Sequence, residues 1–135
     1  MSDSEPREPV VLLVDDNADI LEGYAALLKL SGFQAVTASS GASALELAFR
    51  LRPDVIVIDM WMPGMDGFET TRALKGDPRT ERTPIVGFTS LGFSDRKAEE
   101  AGCEALLREF VGADAAEDVL TPQARGIVAG PALFA

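Results

Sequence analysis

The sequence contains no histidine, only one cysteine (Cys103) and no apolar run long enough to span a bilayer. Without histidine, the commonest general base and the commonest zinc ligand are both absent. A single thiol excludes an intrachain disulfide and a multi-thiolate metal site, so we expect Cys103 to be a buried, inert side chain. Any chemistry therefore depends on carboxylates and hydroxyls.

Basic residues are also scarce, with 12 Lys and Arg against 22 Asp and Glu, which gives a formal net charge of −10. This charge repels phosphate backbones and argues against direct binding of nucleic acid, whereas it suits a cation or a basic protein partner. Residues 1–9 are polar and acidic and lack the positive and apolar segments of a secretory signal. We therefore expect a short flexible tail over 1–9, no membrane association and a cytoplasmic protein.

The length of 135 residues, 47% of them hydrophobic, suits one domain with a sizeable core. Regular patterns extend over residues 10–120, the predicted domain. Proline and glycine interrupt residues 121–135, which predicts an irregular C-terminal extension.

Apolar runs alternate with amphipathic segments along this domain, which predicts an α/β fold with a parallel sheet and helices on both faces. In the first helix, apolar side chains at helical spacing follow a cap at Asp16 or Asn17 and stop at Gly32. Weaker patterns at 94–101 and 113–120 are compatible with further helices. Strands are predicted at 10–14, 34–38, 55–58, 84–88 and 105–107, and two further helices at 40–51 and 67–75.

Two of the predicted strands stop abruptly on carboxylates. Asp15 and Asp16 follow the first strand, and Asp59 follows the third. If these strands are neighbours, the three carboxylates converge at the carboxyl end of the sheet, where open α/β sheets bind ligands. The alternative is that Asp15 and Asp16 are a helix cap and a solvated neighbour, and that Asp59 is an ordinary surface side chain.

Crowded carboxylates repel one another unless a cation neutralises them, and a hard divalent cation such as Mg²⁺ prefers oxygen ligands. Such a metal would screen a phosphoryl group that approaches a nucleophilic Asp59. The hydroxyl of Thr89, at the end of the fourth strand, can donate to a phosphoryl oxygen. The backbone carbonyl of Trp61 is a further candidate metal ligand.

Four motifs occur in the order and spacing of a known family. They are Leu13-Val-Asp-Asp-Asn17, Asp59-Met-Trp-Met-Pro63-Gly-Met-Asp66-Gly67, Pro84-Ile-Val-Gly-Phe88-Thr89-Ser90 and Ala101-Gly102. With these motifs, the chain resembles a response-regulator receiver domain of two-component signalling over roughly residues 9–108. The resemblance implies a flavodoxin-like, doubly wound, five-stranded parallel sheet in strand order 2-1-3-4-5.

The resemblance also implies a function. Mg²⁺ would be bound by Asp15 or Asp16, by Asp59 and by the Trp61 carbonyl. Asp59 would accept a phosphoryl group from a histidine kinase or a phosphotransfer protein, and a downstream protein partner would respond. Such a domain is a phosphoacceptor rather than an enzyme.

The C-terminal part departs from the family pattern. Leu106 stands where the family has its switch aromatic, Glu109 where it has a lysine that contacts the phosphoryl oxygens, and Phe110 where it has a proline. At ~4 Å and an effective dielectric constant near ~20, reversing one charge changes the interaction with a phosphoryl oxygen by several kcal/mol before screening. We therefore expect slow or absent phosphorylation.

Two alternatives to a phosphoacceptor remain. One is a degenerate receiver that acts as a phosphorylation-independent interaction or dimerisation module, with a possible homodimer through apolar contacts at Leu91, Phe93, Leu106 and Phe110. The other is a dehalogenase-like phosphatase, which also uses an aspartate after a strand. That class usually has a second aspartate two residues on, where this chain has Trp61.

Overall fold

The fold alternates strands and helices along the chain. The structure is a computed structural model that describes residues 8–60, 62, 66–89 and 100–108, with the backbone alone described at 88, 89 and 105–108. The described elements are β1 (Val10–Val14), α1 (Ala18–Leu30), β2 (Gln34–Ala38), α2 (Gly41–Leu51), β3 (Val55–Asp59), α3 (Gly67–Lys75), β4 (Ile85–Thr89) and β5 (Ala105–Arg108).

The five strands form one parallel sheet in the order β2-β1-β3-β4-β5. Val14 at the end of β1 pairs with Ala38 of β2 on one side and with Ile58 of β3 on the other. The order reverses direction between β1 and β3, which is the topological switch point of this architecture. The predicted flavodoxin-like fold and its strand order are confirmed.

The core lies on both faces of the sheet, because successive side chains of a strand point to opposite faces. The odd-numbered valines of β3, Val55 and Val57, pack with Leu21 and Leu28 of α1 on one face. Ile56 and Ile58 pack on the other face with residues of α2 and α3, among them Ala44, Ala48 and Leu74. The β-branched and leucine-rich strands are thus buried on both sides, as a parallel sheet requires.

Polar side chains cap the helices and fix where each begins. The Asn17 side-chain oxygen accepts hydrogen bonds from the backbone N–H groups of Asp19, at 2.9 Å, and Ile20, at 3.2 Å. Asn17, rather than Asp16, is therefore the cap of α1, which leaves the Asp16 carboxylate for other contacts. Ser40 and Asp66 cap α2 and α3 in the same way.

The spacing of apolar residues in α1 does not show which face of the helix is buried. Leu21, Ala25 and Leu28 are buried, whereas Leu27 is 42% exposed and Leu30 is 86% exposed. The apolar residues of α1 therefore occupy two faces, only one of which packs on the sheet. The helix also ends at Leu30, two residues before Gly32, whose φ of +92° follows the last turn.

The remaining strand predictions are shifted at their ends by one residue. β3 extends to Asp59, β4 runs one residue later than predicted, and β5 extends to Arg108. Most of the predicted tail at 1–9, most of the helix at 94–101, the helix at 113–120 and the extension at 121–135 lie outside the described residues. In the described part of the chain, no helix combines the length and apolar character of a bilayer span.

Candidate metal and phosphoacceptor site

The pairing of β1 with β3 brings the three predicted carboxylates together. Val14 pairs with Ile58, so Asp15 and Asp59 each follow a paired residue at the same edge of the sheet. Asp15, Asp16 and Asp59 can each contribute a carboxylate oxygen to one point, and these oxygens all lie within 4.8 Å of one another. The predicted convergence of these side chains is confirmed.

The three carboxylates differ in their surroundings. Asp15 is only 3% exposed, its backbone N–H donates to the Ala38 carbonyl at 3.1 Å, and its Oδ1 accepts from the Asn17 N–H at 2.8 Å. Asp16 is exposed and Asp59 is half-buried. The turn that caps α1 therefore also orients the Asp15 carboxylate, which lies deepest in the cluster.

Close packing at the start of α3 fixes the loop after Asp59. A Cβ added at Gly67 would collide with the Asp59 carbonyl oxygen and the Met60 Cα, so only glycine allows this approach. Met60 and Met62 are 0% and 6% exposed and anchor the loop in the core. Gly67 supports the site through its close approach to the backbone of Asp59 and Met60. The signals for it in the sequence were its place in the Pro/Gly-rich loop and in the motif that carries the family resemblance.

The structure describes part of the surroundings that the sequence predicts for a phosphoryl group. The backbone of Asp59 pairs with Phe88, so the Thr89 backbone follows at the same carboxyl edge. Leu106 pairs with Gly87 one strand further along. Trp61, Glu109 and Phe110 lie outside the described residues, and the roles assigned to them stay predictions.

The donor set suits a hard cation. All three groups are carboxylates, which Mg²⁺ accepts together with several waters, and the described cluster offers no nitrogen or sulfur ligand for a softer metal. Acidic groups on a surface often gather without an ion, but a buried carboxylate beside two others needs compensation. The burial of Asp15 is therefore what favours a cation at this cluster.

A family model described as the response regulator receiver domain matches residues 11–121 of the chain. The chain belongs to the response-regulator receiver family. The family assignment replaces the dehalogenase-like alternative. Receiver domains are generally phosphoacceptors rather than true enzymes.

Two curated relatives are similar to this receiver domain. It is 44% identical over 102 residues to the response regulator PleD of Caulobacter vibrioides, across 72% of this chain but only 22% of PleD. It is 30% identical over 99 residues to the polar-differentiation response regulator DivK of Brucella anthropi, across 72% of this chain and 80% of DivK. The chain thus spans about a fifth of one relative and most of the other.

A solved structure shares the fold and shows a metal. The receiver domain of the sensor histidine kinase PA1611 from Pseudomonas aeruginosa PAO1 is 26% identical, with a TM-score of 0.80 over 87% of this chain and 98% of that one. That structure holds a magnesium ion coordinated in its active-site cleft. The two proteins share the receiver fold.

Proposed function

We propose that this receiver domain accepts a phosphoryl group on Asp59 from the phosphohistidine of a histidine kinase or phosphotransfer protein, with Mg²⁺ bound beside it. The observation that carries the proposal is the cluster of Asp15, Asp16 and Asp59, whose oxygens lie within 4.8 Å of one another at the carboxyl edge of a receiver fold. The phosphorylation state would then be read by a downstream protein partner.

The transfer needs positioning more than it needs a proton donor. An Asp59 oxygen attacks phosphorus, the bond from phosphorus to the donor's imidazole nitrogen breaks, and an acyl phosphate forms on Asp59. Asp15 and Asp16 would hold the metal, with Asp15 oriented by the Asn17 N–H. Bound Mg²⁺ would supply charge neutralisation between the carboxylates and the incoming phosphoryl oxygens.

Two more groups complete the proposed site. The Trp61 carbonyl would be a metal ligand, and the Thr89 hydroxyl would donate to a phosphoryl oxygen. Glu109, in the position of the family lysine, adds negative charge where the family has a cation, and this substitution slows transfer. Leu106 and Phe110 stand where the family has its switch aromatic and its proline.

The second candidate is a phosphorylation-independent interaction module, and Leu106 and Glu109 in place of the family's aromatic and lysine favour it. The two candidates make different predictions for a phosphoryl mimic. A phosphoacceptor binds Mg²⁺ and then beryllofluoride at Asp59, whereas a degenerate module binds at most the metal.

Trp61 is the only tryptophan and stands two residues after Asp59, so its fluorescence provides a test. We expect saturable changes on titration with Mg²⁺ and then with beryllofluoride, both lost in Asp59→Asn. A response to Mg²⁺ without a response to beryllofluoride would overturn phosphorylation-driven signalling and leave the interaction module.

A further inference from the structure

Helix α1 carries a second apolar face that no element in the described part of the chain covers. Gly23, Ala26, Leu27 and Leu30 are all exposed, with Leu27 at 42% and Leu30 at 86%. At the 3.6-residue period of a helix these four share one face, opposite the buried stripe of the same helix. The outer face of α1 is therefore an apolar strip that points into solvent.

No contact among the residues that the structure describes explains why position 23 is glycine. A Cβ added at this position would meet nothing within 4 Å, and Gly23 is not among the glycines with positive φ. Glycine in a helix interior is less stable than alanine, so the fold alone gives no reason for it. Its effect is a hollow on the helix surface, two turns before the protruding Leu30.

The apolar strip has one protruding side chain and one hollow, and these fit each other when two copies of the strip pack together. If two copies of α1 pack antiparallel about a two-fold axis midway between positions 26 and 27, Gly23 of one copy lies opposite Leu30 of the other. A two-fold axis keeps each side chain on the same lateral side of the helix pair, so it sets Ala26 beside Ala26 of the other copy and Leu27 beside Leu27. One arrangement therefore places the protruding Leu30 in the hollow at Gly23 and brings the two Leu27 side chains together, as side chains interlock between packed helices.

The charges at the edge of the strip agree with the same arrangement. Glu22 and Lys29 flank it on one side and line the groove between α1 and β2. In the antiparallel pair, Lys29 of one copy lies within about two residues, ~3 Å along the axis, of Glu22 of the other. Both such contacts join opposite charges, which selects antiparallel packing.

We propose that the outer face of α1 (Gly23, Ala26, Leu27 and Leu30, with Glu22 and Lys29 at its edge) is a self-association surface, and that its occupant is a second copy of this chain. A single pair of short helices buries less than the ~1,200 Å² of a standard stable interface. The dimer is therefore weak and depends on concentration. This surface is separate from the carboxylate cluster, and the proposal does not rest on phosphorylation.

Sedimentation velocity of the full chain, from micromolar to near-millimolar concentration, tests the association. We expect a monomer–dimer equilibrium in which Leu30→Glu weakens dimerisation at least tenfold. Leu51→Glu is the matched control, since Leu51 is a 43% exposed leucine on α2. A chain that stays monomeric throughout, or equal weakening by Leu51→Glu, overturns the proposal.

A charge swap identifies the occupant as a second copy. Glu22→Lys and Lys29→Glu each place like charges across the proposed axis, so each weakens the dimer. The double variant Glu22→Lys with Lys29→Glu restores the opposite pairs and the association. Loss without restoration means that the charges meet something other than the same helix, and it contradicts the proposal.

Two further variants separate association from folding and identify the helix face at which the two copies meet. Gly23→Gln fills the hollow but favours the helix, so the melting temperature is kept or raised while the dimer is lost. Ala26→Cys, near the axis, forms an intermolecular disulfide on oxidation, whereas Ala42→Cys, at an exposed alanine of α2, does not. A dimer that is not cross-linked through position 26 uses another face.

Discussion

Cys103 shows how burial sets the chemistry of a single residue. Its side chain is 5% exposed, and its Sγ lies 4.0 Å from the Thr71 hydroxyl oxygen. Burial raises the pKa of the thiol to about 11, so the reactive thiolate is absent at neutral pH. The burial predicted for this lone cysteine is confirmed, and its low reactivity is the expectation that follows.

We expect Cys103 to resist modification by a water-soluble disulfide reagent at pH 8 in the native protein. The reaction should accelerate only as urea unfolds the chain, because unfolding exposes the thiol and returns its pKa to the ordinary range. The exposed thiol of Ala42→Cys gives the rapid reference rate in the same fold. Rapid labelling of native wild type would contradict the assigned burial.

The turn after α3 contains an exposed ion pair. Asp77 accepts hydrogen bonds from the Arg79 side chain, at 2.9 Å to Nε and 2.8 Å to Nη2, and from its backbone N–H at 2.8 Å. These hydrogen bonds lower the pKa of Asp77 from 3.8 to about 2. Arg79 also stacks on the Phe49 ring, with its guanidinium carbon 3.8 Å from the ring centroid.

An NMR titration should place the Asp77 midpoint near 2, and Arg79→Ala should move it back toward 3.8. Since the folded value is the lower one, the pair stabilises the fold above the ordinary pKa, and this contribution is lost as pH falls toward 2. The pair is exposed, so the change in stability is small. Phe49→Leu removes the ring alone and should leave the Asp77 midpoint low.

At the scale of elements, contacts between the ends of strands and helices hold the two edges of the sheet. At the carboxyl edge, Gly67 of α3 packs against the backbone of Asp59 and Met60. At the opposite edge, Lys75 at the end of α3 pairs with Glu104 before β5 and donates to the Thr83 carbonyl at 2.9 Å. Helix α3 is thus fixed at both ends.

We expect Gly67→Ala to lower the free energy of unfolding by about 1–3 kcal/mol, because the added methyl group must displace backbone rather than a flexible side chain. The Mg²⁺ affinity should fall as well, since the displaced backbone carries Asp59. Urea denaturation and a Mg²⁺ titration measure the two effects. Gly23→Ala, where the methyl group meets open space, should instead stabilise by about 0.5–1 kcal/mol.

Glu104 joins three elements through its two oxygens. One accepts from Lys75 Nζ and the other from the Ile85 N–H at the start of β4. Glu104→Ala should cost about 1–3 kcal/mol in urea denaturation, because a backbone donor and an ammonium group lose their acceptor. Glu104→Gln keeps one carbonyl oxygen and should cost less. Equal stability of all three proteins would show that the link contributes nothing.

The elements also show what sequence can predict here. The apolar runs that end on Asp15 and Asp59 predicted the site, because buried parallel strands bring their carboxyl ends to one edge. Asn17 and Asp16 are both residue types that cap helices, so the sequence alone could not show that Asn17 is the cap of α1. The sequence also does not show which leucine of α1 faces the sheet, because Leu27, Leu28 and Leu30 are all apolar. The link between Lys75 and Glu104 joins residues 29 positions apart and leaves no local pattern.

For the whole molecule, the net charge of −10 and the acidic cluster act in the same direction. Both attract cations and both oppose the approach of a phosphoryl group until a metal is bound. The sequence predicts that Glu109 stands in the position of the lysine that contacts the phosphoryl oxygens in this family. The balance of charge around the site therefore sets how well a phosphoryl mimic binds.

We expect Glu109→Lys to raise the affinity for beryllofluoride, in the presence of Mg²⁺, by about tenfold or more, because it replaces a repulsive charge by an attractive one. Trp61 fluorescence reports the titration. Glu81→Lys is the control, since it makes the same change in net charge at an exposed position before β4, at the other edge of the sheet. An equal gain in the control would assign the effect to net charge alone.

The register of β1 against β3 has a consequence for folding. Asp15 and Asp59 meet because Val14 pairs with Ile58, and a slip of one residue would turn the Asp59 side chain to the opposite face of the sheet. A misaligned chain would then lose one of the three carboxylates proposed to bind Mg²⁺, and with it most of the affinity expected for this metal. Because a ligand stabilises only the states that bind it, magnesium in the surrounding solution would favour the chain with the correct strand register over misaligned chains.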